Sequence, residues 1–225
     1  RKGIFTLISE QTCQDEHTCV SVEDLRTAAA QTPPEQLGIA EWALEPVNAR
    51  GDDPKRIEGL ISPGVHLFDP TSGPKEILKS LLGNSKEQYE NTGLVSTAEN
   101  VGLSPYDMLV AASLVEREAP EGDFDKVARV ILNRLHENQR LEFDSTVNYG
   151  LSEVEVATTD EDRKRLTPWN TYAKEGLPDT PIASPGQQAL HAIENPAEGD
   201  WLYFVTVDRN GPVSYTHLRA HETRH

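Results

Sequence analysis

Residues 104–135, SPYDMLVAASLVEREAPEGDFDKVARVILNRL, constrain the fold more than any other stretch. They predict two helices with a tight break between them. Ser104 is a good N-cap, Pro105 suits the first helical position, and Asp107 stands where a capping carboxylate reaches back. Met108, Ala111, Ala112 and Val115 recur at helical spacing and define a buried face. Ala119-Pro120-Glu121-Gly122 ends that helix, and Asp123 is placed to cap the next. Phe124, Val127, Ala128, Ile131, Leu132 and Leu135 then follow at i, i+3, i+4, i+7, i+8 and i+11, a complete amphipathic stripe. Glu116 falls on the shoulder of the first helix's apolar face, near Leu109 and Ala112. A carboxylate there is expected to be partly desolvated, which raises its pKa and fits it to hold a proton near neutral pH. The plainer alternative is a half-buried Glu paired with an Arg.

The rest of the chain reads as an irregular mixture of elements. Ile4 to Ile8 is a short β-like run, and Val22 to Ala30 a short helix capped by Ser21. Gln31 to Lys55, rich in Pro, Asp, Glu and Asn, reads as irregular connection with one helical turn near Ile39 to Leu44. Arg56 to Gly64 looks like a strand running into a turn, and Pro74 to Leu82 a helix stopped by Gly83-Asn84, with a polar stretch from Ser85. Arg140 to Gly150 mixes β-formers, hydroxyls and Asp144, which suits a strand or loop lining a cleft. Ser152 to Arg165 is an acidic, solvated excursion. Thr167 to Tyr172 with Gly176-Leu177-Pro178 forms a Pro- and aromatic-rich loop. Such a loop is either ordinary packing or a sugar site, where rings stack on pyranose faces and amides bond hydroxyls. Ser184-Pro185-Gly186-Gln187 opens a helix with a capping box that runs to Glu194, and Trp201 to Val207 is a buried strand. This alternation predicts an α+β fold.

Charge and composition narrow the partners. The formal net charge is -16, with no basic stretch to offset it, which argues against nucleic acid or an anionic membrane surface. No apolar run reaches the roughly 18 residues a membrane span needs. The chain starts at Arg1 in mid-pattern, so it is expected to be a fragment whose N-terminus is missing. Cys13 and Cys19 sit six apart in a polar loop and suit either a small disulfide or two free thiols. His217, His221 and His225 at i, i+4 and i+8 would suggest a metal site on a helix. However, VSYTHLRAHET, within Val213 to His225, resembles the translation of a transposon-end sequencing adapter. Residues 213–225 are therefore expected to be a scar that packs on nothing, and no metal site is expected there.

Several short pieces carry a further resemblance. They include Glu58-Gly59 with Pro63, Ala112 to Glu118, and Lys126-Val127-Ala128 through Asn133-Arg134-Leu135. Arg140-Leu141 with Asp144 and Thr146-Val147, Thr167 to Tyr172, and Gly176-Leu177-Pro178 follow. Pro181-Ile182 with Pro185-Gly186, Asn195-Pro196-Ala197 and Trp201 to Val205 complete the set. In order and spacing, over roughly residues 56 to 207, the chain resembles the endolytic murein transglycosylases of the MltG, or YceG-like, family. Ser62, Gly64 and His66 replace the family's usual aromatic and acidic residues around Pro63, and Ser145 stands where Pro usually follows the Asp.

The resemblance implies an α+β catalytic domain with helices around a small sheet at residues 56–211, stopping short of the family's C-terminal end. Residues 1–55 would be the remnant of a LysM-like segment and an irregular connection. The implied enzyme cleaves the bond from N-acetylmuramic acid to N-acetylglucosamine within peptidoglycan strands, without water. The muramyl C6 hydroxyl attacks its own anomeric carbon and leaves a 1,6-anhydro end. The family's catalytic Glu maps to Glu116, which would protonate the leaving oxygen and then take the C6 proton. One carboxyl suffices because the nucleophile belongs to the substrate, whereas ordinary glycosidases need two. Glu118, two residues on, is expected on another part of the helix surface, in a supporting role. Asn133, Asp144, Thr146, Asn170 and Tyr172 are the implied substrate-binding or supporting side chains. No cofactor or metal is implied. The implied partners are peptidoglycan glycan strands and cell-wall synthases, with a membrane contact only through an N-terminal anchor absent from this chain. An extracytoplasmic site tips Cys13 and Cys19 toward a disulfide. Two alternatives remain: a silent peptidoglycan-binding module of the same fold, and a hydrolase that uses water with Asp144 as second carboxylate.

Overall fold

The computed structural model describes residues 3–14, 18–120, 122–151, 158–206 and 213–216. The chain divides into two compact units, Arg1–Gly93 and Leu94–His225.

The first unit is helical. Helix α1 spans Ile4–Thr12, so the β-like run at Ile4 to Ile8 is helix, not strand. The helical turn sets Ile8 and Thr12 on one buried face while Ile4 and Leu7 stay exposed. The Thr12 hydroxyl donates to the Ile8 carbonyl (3.1 Å) and accepts the Val20 N–H (3.1 Å). A disulfide joins Cys13 to Cys19 just beyond the helix. Helix α2, Val22–Gln31, starts with a full capping box between Ser21 and Asp24, and buries Leu25 and Ala29. After a 3-10 turn at Pro34–Leu37, α3 runs over Glu41–Ala49, longer than the single turn expected.

The strand expected at Arg56 to Gly64 is absent. A 3-10 turn occupies Pro54–Ile57, and Gly59 and Gly64 adopt positive φ (75° and 138°), which interrupts extended pairing. Arg56 is instead a buried tether. Its guanidinium donates to the carbonyls of Ala29 (2.7 Å), Gly51 (2.9 Å) and Thr32.

Helix α4, Pro74–Asn91, does not stop at Gly83-Asn84. Its apolar stripe Ile77, Leu78, Leu81, Leu82 continues through Ser85 and Tyr89. Both of these are buried with their polar atoms satisfied. Ser85 Oγ donates to the Leu81 carbonyl (2.7 Å), and the Tyr89 hydroxyl donates to the Gly59 carbonyl (2.8 Å).

The second unit carries the predicted helix pair. A short α5 (Leu94–Thr97) and a 3-10 turn (Ala98–Val101) lead to α6, Pro105–Glu118. Ser104 caps α6 as expected, its Oγ accepting the Asp107 N–H at 3.0 Å. All residues from Met108 to Val115 are buried, so α6 is a central helix enclosed on every side rather than amphipathic. Helix α7, Phe124–His136, follows. Asp123 stands at its N-cap position but makes no cap; its carboxylate pairs with Lys126 (2.7 Å).

Arg140 to Gly150, expected as strand or loop, contains a third packed helix, α8, at Asp144–Leu151. Within the acidic stretch, residues 152–157 lie outside the described set; α9, Asp160–Lys164, follows with a Thr159–Asp162 capping box. Helix α10, Gln187–Glu194, packs on both α6 and α7 through Ala189, Leu190, Ala192 and Ile193. Its expected capping box does not form, since the N-cap is Gly186, with no side chain to offer.

Strand β1, Tyr203–Thr206, is half-exposed rather than buried, with Val205 60% exposed. It pairs antiparallel with β2, Val213–Thr216, in a two-stranded sheet that sets Phe204 opposite Tyr215. The expectation that residues 213–225 pack on nothing is thus corrected for the first four. An unpaired strand edge takes a partner for its backbone groups. The Tyr215 ring also sits 5.3 Å from Trp201. His217, His221 and His225 lie outside the described residues. Among the described residues the fold is mostly helical with one small sheet, the α+β class expected. Among the described residues no helix is long and apolar enough to cross a membrane.

Candidate active site

The last turn of α6 carries two carboxylates, and the structure gives them opposite surroundings. Glu116 is exposed, which corrects the half-burial expected of it. Its Oε2 accepts the backbone N–H of Gly186 at 3.0 Å, at the start of α10. Glu118 is the desolvated carboxyl. It lies half-buried on the flank of α6 that packs on α8. Burial pushes its pKa above the usual carboxylate range. The Ser145 hydroxyl and N–H act in the opposite sense by favouring the charged form; Asp144 adds to the rise and Arg117 opposes it. The Ser145 hydroxyl is itself buried, with no partner of good hydrogen-bond geometry. From α7, the buried Arg134 also feels the Glu118 charge.

Asp144, at the start of α8, is the hub of the neighbouring network. It accepts hydrogen bonds from the Thr158 hydroxyl (2.6 Å) and the Tyr172 hydroxyl (2.8 Å). Arg163 pairs with it at 3.2 Å, and the same guanidinium lies over the Tyr172 ring, 4.9 Å from its centre. Burial, then the bond to Asp144, hold the Tyr172 phenol well above its ordinary pKa, so it stays a donor. Glu118, Asp144 and Tyr172 are therefore gathered at one place. Ser145, Thr158 and Arg163 join them. Only Ser145 carried a signal in the sequence, as a departure from the usual Pro after the Asp.

The remaining expected site residues hold the scaffold. The buried Asn170 amide donates to the carbonyls of Arg165 (2.6 Å) and Arg163 (3.0 Å), and its oxygen accepts the Tyr172 N–H (2.9 Å). It fixes Tyr172 and the end of α9. Thr146 is buried, bonded to the Phe143 carbonyl (2.6 Å) and to Thr171 Oγ1 (2.9 Å). Asn133 donates to the Trp201 carbonyl (2.9 Å) and the Gly199 carbonyl (3.2 Å), beside the start of β1. Trp169 is buried, its indole N–H on Thr180 Oγ1 (2.8 Å), so this ring packs the loop rather than facing a sugar.

The family model described as YceG-like matches residues 2–224. The chain belongs to the YceG-like family. An endolytic murein transglycosylase of Bacillus subtilis is 32% identical over 162 residues, covering 71% of this chain. One from Streptococcus pneumoniae is 26% identical over 175 residues, covering 75%. The chain spans 44% and 31% of the length of these two relatives. A crystal structure of a YceG-like protein from Listeria monocytogenes superposes with a TM-score of 0.75 at 25% identity, over 88% of this chain and 66% of that one. The YceG-like fold thus extends over both compact units of the chain, and the Glu118–Asp144–Tyr172 cluster sits in the second.

Proposed function

We propose that this YceG-like chain cleaves peptidoglycan glycan strands as an endolytic transglycosylase, with Glu118 as the group that moves the proton. The observation that carries the reading is the burial of Glu118 beside Asp144, which keeps a carboxyl protonated above its usual range. The naming of the relatives as endolytic murein transglycosylases supports the substrate class. Protonated Glu118 donates to the glycosidic oxygen as the bond to the muramyl anomeric carbon breaks. The muramyl C6 hydroxyl closes onto that carbon, and the Glu118 carboxylate takes the C6 proton. The proton count returns to its start, no water enters, and the product ends in 1,6-anhydromuramic acid. Asp144, engaged by Tyr172, Thr158 and Arg163, is a fixed negative charge rather than a second base. It favours the protonated resting form of Glu118 and the positive charge that develops on the sugar.

The same proposal takes residues 1–55 as a LysM-like segment with its connection, residues 56–211 as the catalytic domain, and residues 213–225 as adapter-derived. It places the catalytic part outside the cytoplasmic membrane, with cell-wall synthases as partners. The Cys13–Cys19 disulfide supports an oxidising compartment.

The test is mass analysis of cleaved strands. Anhydro ends are expected; reducing ends would make the chain a hydrolase, and intact strands a binding module. Glu118→Gln keeps shape and loses the proton, so turnover should fall at least about a hundredfold with the fold retained. A fully active Glu118→Gln protein would overturn the assignment.

A further inference from the structure

Two side chains on one flank of α6 hold the segment that leads into α10. Ser113, buried one turn before the site, accepts the Ile182 N–H at 3.1 Å. Glu116, three residues on, accepts the Gly186 N–H at 3.0 Å. Helix α10 has no side-chain cap of its own, because its N-cap is glycine. Glu116 does from another helix what the Glu of a capping box does from within, binding the N-cap N–H and placing negative charge at a helix N-terminus. Glycine at 186 permits the approach: a Cβ there would lie 3.3 Å from Glu116 Oε2. The opposite flank of the same last turn packs on α8 and carries Glu118.

We infer that Glu116 is a positioning residue, whose carboxylate latches the last turn of α6 to the start of α10 and so holds Glu118 in place. The inference rests on the Glu118 reading for its catalytic consequence but not for the latch itself. A helix end frays where its last carbonyls lack partners, and α6 ends at Glu118 itself. Pinning the turn from the far flank suppresses that fraying where about 1 Å of misplacement already costs rate. The interaction needs an oxygen acceptor, not a proton, so glutamine should serve in its place.

Two measurements test this. The first is amide hydrogen exchange at Gly186 in the intact chain. Glu116→Ala should speed exchange about tenfold, the scale of one lost hydrogen bond, while Glu116→Gln, which keeps the acceptor and loses the charge, falls between it and the parent. Gly186→Ala should weaken the latch from the other side and speed exchange of the same amide. An unchanged rate in Glu116→Ala overturns the latch. The second is strand cleavage against pH. Glu116→Ala should lose about tenfold in kcat with little change in KM and an unmoved pH profile, and Glu116→Gln should restore most of it. If Glu116→Gln instead falls as far as Glu118→Gln, the Glu116 carboxyl itself does the chemistry and the inference is wrong. If Glu118→Gln is active, the Glu118 assignment fails while the exchange result still stands for the latch.

Discussion

Two carboxylates two residues apart on the last turn of α6 have opposite surroundings: Glu116 is exposed, and burial raises the pKa of Glu118. Helical phase alone puts Glu116 on the shoulder of the apolar face, which is why it reads as the desolvated one. That reasoning assumes one buried face, whereas α6 is enclosed on all sides from Met108 to Val115. What lies around its exposed end is set by α8 and α10, elements distant in sequence. Burial of Glu118 therefore depends on long-range packing that periodicity does not reveal. The neighbours of Glu118 predict opposite pH shifts. The Ser145 hydroxyl favours the charged carboxylate, so Ser145→Ala should raise the Glu118 pKa further. The general acid must start protonated, so the alkaline limb of kcat/KM should move to higher pH. Asp144 favours the protonated form, so Asp144→Asn should move the same limb to lower pH. Activity should then drop moderately while products keep anhydro ends. Equal-direction shifts, or reducing ends from Asp144→Asn, would count against this electrostatic arrangement.

At the scale of elements, local chemistry was legible wherever caps and periodicity coincide. Ser21 announces α2, and Ser104 with Pro105 announces α6; both caps form as read. Legibility failed where tertiary contacts override composition. Ser85 and Tyr89 look like the end of an apolar stripe, yet each buries its polar atom on a carbonyl and carries α4 on to Asn91. The β-formers of Thr146 to Tyr149 fold as α8 because Thr146 finds its partners in Phe143 and Thr171 rather than in a strand ladder. Aromatic residues around Trp169 suggested a sugar platform, and burial excludes that ring from it. Ser104→Ala removes the acceptor for the Asp107 N–H at the start of the central helix. It should lower unfolding free energy by about 1 kcal/mol in denaturant melts, with the Glu118 pH profile unmoved. A change within about 0.3 kcal/mol would mean that burial of α6 makes the cap redundant.

For the molecule as a whole, the two-stranded sheet is where composition and structure pull apart. Residues 213–225 read as foreign, yet β2 supplies the partner for β1, and Tyr215 lies against Trp201 and Phe204. These facts are compatible, because a strand edge selects for backbone hydrogen bonds and a few side-chain contacts, not for origin. The alternation Val213-Ser214-Tyr215-Thr216 is enough to satisfy β1. The pairing is also half-exposed, with Val205 largely in solvent, so it adds little core. Deleting residues 213–225 should therefore cost about 1 kcal/mol, the worth of an aromatic pair and a short ladder. It should also uncover the β1 edge, so the shortened chain is expected to self-associate more readily. The cluster around Glu118 is built from α6, α7, α8, Thr158 with α9, and the loop through Tyr172, none of which includes β2. Cleavage by the monomeric fraction should thus keep its rate and its product ends. Sedimentation and strand-cleavage assays on the shortened chain check both halves. Loss of cleavage from a still-monomeric, still-folded protein would show that the ribbon belongs to the glycan-binding surface after all.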